Sequence, residues 1–156
     1  MQQPRSVPEL LNDLATFATA VETALSGKEV AWLWRPSESE WSLTEVICHL
    51  RDVEREVHQV RFHKLLAAEN IFLFGATPDE WVKEHRYQQQ HGPTALSDFL
   101  AARRQTLVLL QTIEDDAIWR RRGRHAFFGS TSMHELLNLA VKHDQAHWEQ
   151  IQRLLA

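Results

Sequence analysis

The sequence predicts an all-α protein built as a four-helix bundle. Three observations carry that prediction. Glycine and proline, five of each in 156 residues, leave four stretches free of both: 9–26, 43–69, 94–114 and 131–155. Apolar residues recur in each at the three- and four-residue spacing of a helix with one buried face. Three of the four stretches also open on a capping box, a Ser followed three residues later by Glu, which satisfies the free N–H groups of a first helical turn.

The first helix starts at Ser6-Val7-Pro8-Glu9, carries Leu10, Leu14, Phe17, Val21 and Leu25 on one face, and stops at Gly27. Pro8 suits the first turn, where a missing N–H costs nothing. The second starts at Ser42-Leu43-Thr44-Glu45 and lines up Val46, Leu50, Val53, Val57 and Val60. The third carries Leu96, Phe99, Leu100, Leu107, Leu110 and Ile113. The fourth starts at Ser132-Met133-His134-Glu135, and its stripe reads Leu136, Ala140, His143, His147, Ile151 and Leu154. Four amphipathic helices of this length bury their stripes against one another as a bundle.

The connections are uneven. Residues 27–42 are rich in tryptophan and proline, and residues 115–130 carry Arg120, Arg121, Arg122 and Arg124. Residues 70–93 form the longest connection, with a short helix expected to begin at Thr77-Pro78-Asp79-Glu80. A crossing of that length between helices two and three breaks simple up-down-up-down order.

One domain spanning 1–156 accommodates this length. Hydrophobic residues make up 44% and charged residues 24%, a globular balance. No apolar run is long enough to span a bilayer, and MQQPRSVPELL has no basic-then-apolar leader pattern. The single cysteine, Cys48, excludes an intrachain disulfide and fits a cytoplasmic protein. A net charge of -4 argues against a general nucleic-acid binder, so no nucleic-acid or membrane partner is expected.

Three histidines carry the chemistry. His143 and His147 are spaced i, i+4, which sets two imidazoles about one turn apart on one helical face. Both replace core residues in the seam of the fourth helix. Two imidazoles buried there without partners would cost a few kcal/mol each, and a shared metal ion removes that cost. His49, on the flank of the second helix's stripe, supplies a third nitrogen. Three neutral nitrogens leave coordination positions for water or substrate, as catalytic metal sites do. The remaining histidines fit the site less well. His63 is roughly 21 Å from His49 along the axis. His58 and His134 fall on faces opposite His49 and His143, and His85, His91 and His125 lie in connections, where surface positions are expected.

WSLTEVICHL, followed by a C-terminal helix with H-D-x-x-H-x-x-Q-I, resembles the DinB superfamily of bacterial metal-binding four-helix bundles. The likeness extends to Tyr87, Arg103, Trp119-Arg120 and Gly129, and so spans nearly the whole chain. It implies His49, His143 and His147 as ligands of one divalent ion, zinc or nickel foremost, with iron or manganese as alternatives. It also implies an up-down-down-up helix order and a homodimer. Some members transfer low-molecular-weight thiols such as bacillithiol, and related proteins include mycothiol-dependent isomerases.

An open tri-histidine ion suits two chemistries: holding a small thiol as thiolate for attack on an electrophile, or lowering the pKa of water to about 7 for hydrolysis. A non-catalytic metal-binding bundle, such as a stress-response protein, is the alternative. Asp52 and Glu45 lie about one turn from His49 on its outer side and Glu56 two turns away, so each is a candidate catalytic group or a member of a solvated charged face. Arg120, Arg122 and Arg124 are candidates for holding an anionic substrate, or form a solvated loop. Cys48 points about 100° away from His49 and reads as a core residue. HDQAH matches the metalloprotease H-E-x-x-H with Asp144 one methylene short, and only nine residues follow His147, too few for the usual third ligand. The Glu-x-x-His pair of a carboxylate-bridged di-metal bundle is absent from the chain.

Overall fold

A computed structural model describes the chain over residues 3–156. Helix α1 spans Val7–Leu25, held at its start by the Ser6–Glu9 capping box. The second helical rod comprises α2 (Leu43–Val53), a π-helical turn (Glu54–His58) and α3 (Gln59–Ala67). The long crossing contains a two-residue strand β1 (Phe72–Leu73), a 3-10 turn (Pro78–Glu80) running into α4 (Trp81–Glu84), and a second 3-10 turn (Tyr87–Gln89). Helix α5 (Gly92–Gln111) follows, then α6 (Asp116–Arg120), strands β2 (Arg122–His125) and β3 (Gly129–Ser132), and α7 (Met133–Leu155). All three expected capping boxes form. None of the helices described is long and apolar enough to cross a membrane.

Cross-helix contacts establish the helix order. Arg55 faces Asp98, and Gln59 bonds Ala102 and Thr106, so the second rod and α5 run parallel. Leu14 meets Arg103 while Phe17 meets Phe99, so α1 and α5 are antiparallel. Arg5 meets His134 and Phe17 meets Trp148, so α1 and α7 are parallel. The order is therefore up-down-down-up, and the long crossing exists because two parallel helices cannot be joined by a tight turn.

The π-turn changes what the second rod buries. One extra residue in a turn rotates everything beyond it by about 100°. Val60, expected on the inner stripe, is 38% exposed, while Phe62 and Leu65 take the core positions. The same rotation corrects the placement of His58. An unbroken helix would carry it opposite His49, but His58 is buried with its ring 5.5 Å from that of His143.

A second correction concerns residues 115–130, read from sequence as a loop. They hold a short helix and a hairpin, which β1 joins to make a three-stranded sheet in the order β1-β2-β3. Strand β2 reads Arg-Gly-Arg-His and has no apolar alternation to announce it. Its Gly123 is required by close packing, since a Cβ there would lie 2.9 Å from the Ile71 carbonyl oxygen. His125 is corrected as well, from a surface position to a 3% exposed one. Its Nδ1 accepts the backbone N–H groups of Phe127 and Phe128 at the hairpin tip.

Candidate metal centre

His49 projects from α2, and His143 and His147 project from successive turns of α7. Their Nε2 atoms converge. His143 Nε2 lies 3.1 Å from His49 Nε2 and 3.1 Å from His147 Nε2, and one ligand atom from each ring falls within 4.8 Å of the others. His49 is 1% exposed; the other two are partly open, facing a pocket of about 750 Å³. The pocket walls are Trp34, Pro36, Trp41, Pro78 and Leu154, with Glu40, Asp79, Gln150 and Arg153 among the polar groups.

The electrostatics favour neutral imidazoles. Burial pushes His49 down to about 3, and His147 and His58 nearby add to the effect. Burial is also the largest cause lowering His143 and His147. Neutral imidazole is the form that ligates metal. His147 Nδ1 sits 2.8 Å from Gln150 Oε1, so Nδ1 carries the proton and Nε2 presents a lone pair. Three lone-pair nitrogens this close repel unless a proton or cation sits among them. Their spacing approaches the ~3.3 Å expected between tetrahedral nitrogen ligands about 2.05 Å from zinc. The donor set therefore fits one divalent ion with positions left open toward the pocket.

Trp41 shields the cluster. Its ring centroid is 5.0 Å from that of His49, and it stacks on His147 at 6.3 Å with 10° between planes. Nothing in the spacing of Trp41 marked it for this role.

The three carboxylates proposed from sequence take different positions, and none lines the pocket over the histidines. The expected outer-side placement of Glu45 is corrected: it is 2% exposed, closes its capping box and accepts both Arg35 Nε and Nη2 at 2.8 Å. Asp52 accepts from Arg51 Nε at 2.8 Å and Tyr87 Oη at 2.7 Å, tying the rod to the long crossing. Glu56 is exposed. The carboxylates that do line the pocket, Glu40 and Asp79, lie in connections with no periodic pattern to single them out.

The arginines at 120, 122 and 124 also stand apart from the pocket. Arg120 is exposed on α6, Arg122 reaches Ser130 and Glu135, and Arg124 donates to the Asn70 carbonyl. They accompany the start of α7, some ten residues and about 15 Å before His143 along the helix. The arginine that lines the pocket is Arg153. Cys48 is fully buried, its thiol pushed up to about 11 by burial, which suits a core residue. Asp144 does not reach the pocket either; it is buried against Arg103.

Fold and site together define a class: up-down-down-up four-helix bundles that hold three imidazoles around an open position. The chain belongs to the DinB superfamily, whose family model matches residues 5–151. No curated protein matches the chain. Among solved structures it is similar to YfiT from Bacillus subtilis, described as a probable metal-dependent hydrolase with an unusual four-helix bundle topology. That likeness has a TM-score of 0.82 at 19% identity and covers 98% of this chain and 91% of the other, a relation of fold.

Proposed function

We propose that this protein is a metal-dependent enzyme in which His49, His143 and His147 hold one divalent ion, zinc or nickel, that activates a nucleophile against a small-molecule substrate. The convergence of three neutral Nε2 atoms on the floor of an open pocket carries this reading. A divalent ion there lowers the pKa of a thiol or water that it binds and so supplies a nucleophile at neutral pH. The tryptophan, proline and leucine walls suit an organic substrate, and Arg153 at the rim suits an anionic substituent.

Transfer of a low-molecular-weight thiol is the first reaction proposed. A thiol held by the ion would be acidic enough to lose its proton to solvent or to a pocket carboxylate at neutral pH, so this reaction asks for no strong base. Hydrolysis is the second, favoured by Asp79 and Glu40 on the pocket wall, either of which can accept a proton from water.

Metal analysis of the purified protein beside His143→Ala tests the common premise. We expect one equivalent in the wild type and loss in the variant; retention in His143→Ala would refute the assignment. Turnover of a thiol panel with an aromatic electrophile, against turnover of an ester and amide panel, then separates the two reactions. Stoichiometric metal with turnover in neither panel would leave a metal-binding bundle rather than an enzyme.

A further inference from the structure

The histidine ligands come from different helices of the bundle. Helix α2 packs chiefly on α5 and only lightly on α7, which packs chiefly on α1, so His49 and the pair His143 and His147 come from helices with little direct contact. A metal site that spans two such helices needs something to hold them in register, because sub-ångström shifts matter at a ligand set.

One side chain touches all four helical rods at this level. Arg103 of α5 is 1% exposed. Its Nε and Nη2 donate to the two carboxylate oxygens of Glu54, both at 2.9 Å, in the π-turn of the rod that carries His49. Its Nη1 and Nη2 donate to Asp144, at 2.7 and 2.9 Å, the residue next to His143 on α7. Nη1 also donates to the Leu14 carbonyl of α1 at 3.1 Å. Phe17 and Phe99 lie against the guanidinium at 5.6 and 5.1 Å, holding it from either helix.

These contacts use all five guanidinium donors, as a bidentate pair to each carboxylate and one bond to the carbonyl; a lysine ammonium, with three donors, cannot hold both carboxylates bidentately. The π-turn begins at Glu54, which α2 already presents inward, and it turns His58 beyond it to face His143 of α7. Such a network is a poor source of stability. Apolar replacement of a buried ion triad is often neutral or stabilising, because desolvation offsets most of the attraction. What it supplies is a single allowed arrangement.

We propose that Arg103 is the positioning residue of the histidine site: by clamping Glu54 and Asp144 it fixes the helix bearing His49 against the helix bearing His143 and His147. This rests on the metal-site reading above and adds what sets the ligand geometry.

The test compares zinc affinity, by chelator competition, and the cobalt(II) absorption spectrum in the wild type, Arg103→Lys, and the apolar triple variant Glu54→Leu/Arg103→Met/Asp144→Leu. The triple variant leaves no buried charge unpaired and is expected to fold. A merely structural network predicts that both folded variants keep their zinc affinity. The positioning role predicts at least a tenfold loss in each, within the 10–100-fold range for lost support of metal ligands, together with an altered cobalt spectrum. Folded variants binding zinc within twofold of wild type, with an unchanged spectrum, overturn the proposal. Wild-type protein that binds no zinc or cobalt overturns the metal-site reading itself, a separate outcome seen before any variant is made.

Discussion

Replacing His49 by leucine should raise the stability of the metal-free protein and remove its response to metal. His49 is 1% exposed, and its Nδ1 is buried without a hydrogen-bond partner. An unsatisfied buried polar group costs about 1–3 kcal/mol, and leucine of similar size removes it. The change leaves the rest of the cluster intact, because His143 Nε2 keeps His147 Nε2 at 3.1 Å. At about 2–4 °C per kcal/mol for a chain of this length, His49→Leu should melt roughly 2–12 °C above wild type in chelator. Metal acts in the opposite sense. Free ion at a hundred times its Kd stabilises the wild type by about 2.7 kcal/mol, worth roughly 5–11 °C. The variant, with one ligand gone, should lose most of that shift, so the wild type gains on it as metal is added. Scanning calorimetry with EDTA and then with excess zinc reads both effects. A variant less stable than wild type in EDTA, or one that keeps the full zinc shift, would refute the reasoning.

Three further outcomes follow from the same structure. Glu45→Gln keeps an acceptor for the Ser42 N–H but neutralises a largely buried pair with Arg35, so it should cost about 1–3 kcal/mol in urea unfolding, discounted because Arg35 is 35% exposed, while leaving zinc affinity unchanged; a large loss of affinity would return Glu45 to the site. Burial alone would raise the Asp52 carboxyl, but the bonds from Arg51 and Tyr87 outweigh it and hold the group below its ordinary range. A depressed carboxyl contributes stability above its unfolded pKa of about 3.9 and loses it as pH falls through the folded value. Asp52→Asn should therefore destabilise at pH 7 and converge on wild type below about pH 4; a gap in melting temperature that is constant with pH would contradict this. The homodimer implied by the family resemblance predicts a solution mass of twice the chain by light scattering, and a monomeric mass at micromolar concentration rules it out.

Much of the fold was legible because its causes are local. Ser6, Ser42 and Ser132 each meet a Glu three residues on, and each starts a helix where expected. The i, i+4 spacing of His143 and His147 placed two imidazoles on one face before any tertiary contact was known. The hairpin was not legible, because Arg122-Gly123-Arg124-His125 forms a strand only through pairing with β1 and β3. Glu40, Asp79 and Arg153 line the pocket from three separate segments that no spacing rule connects. Arg103 had a readable signal: it continues the Leu96, Phe99, Leu100 stripe toward Leu110, a charged residue where a core one belongs.

The division has a physical basis. Period, capping and ligand spacing are consequences of a single helix's geometry, so a chain read alone reveals the rods and which faces carry histidine. The π-turn is different. One added residue turns the rest of the rod by about 100°, exposing Val60 and bringing His58 inward. The inward surroundings of His58 come from another helix, where the ring of His143 lies 5.5 Å away. Which residues could bind an ion was written in the order of the chain. Whether their nitrogens meet at 3.1 Å depends on packing between helices far apart in sequence, which only the folded structure decides.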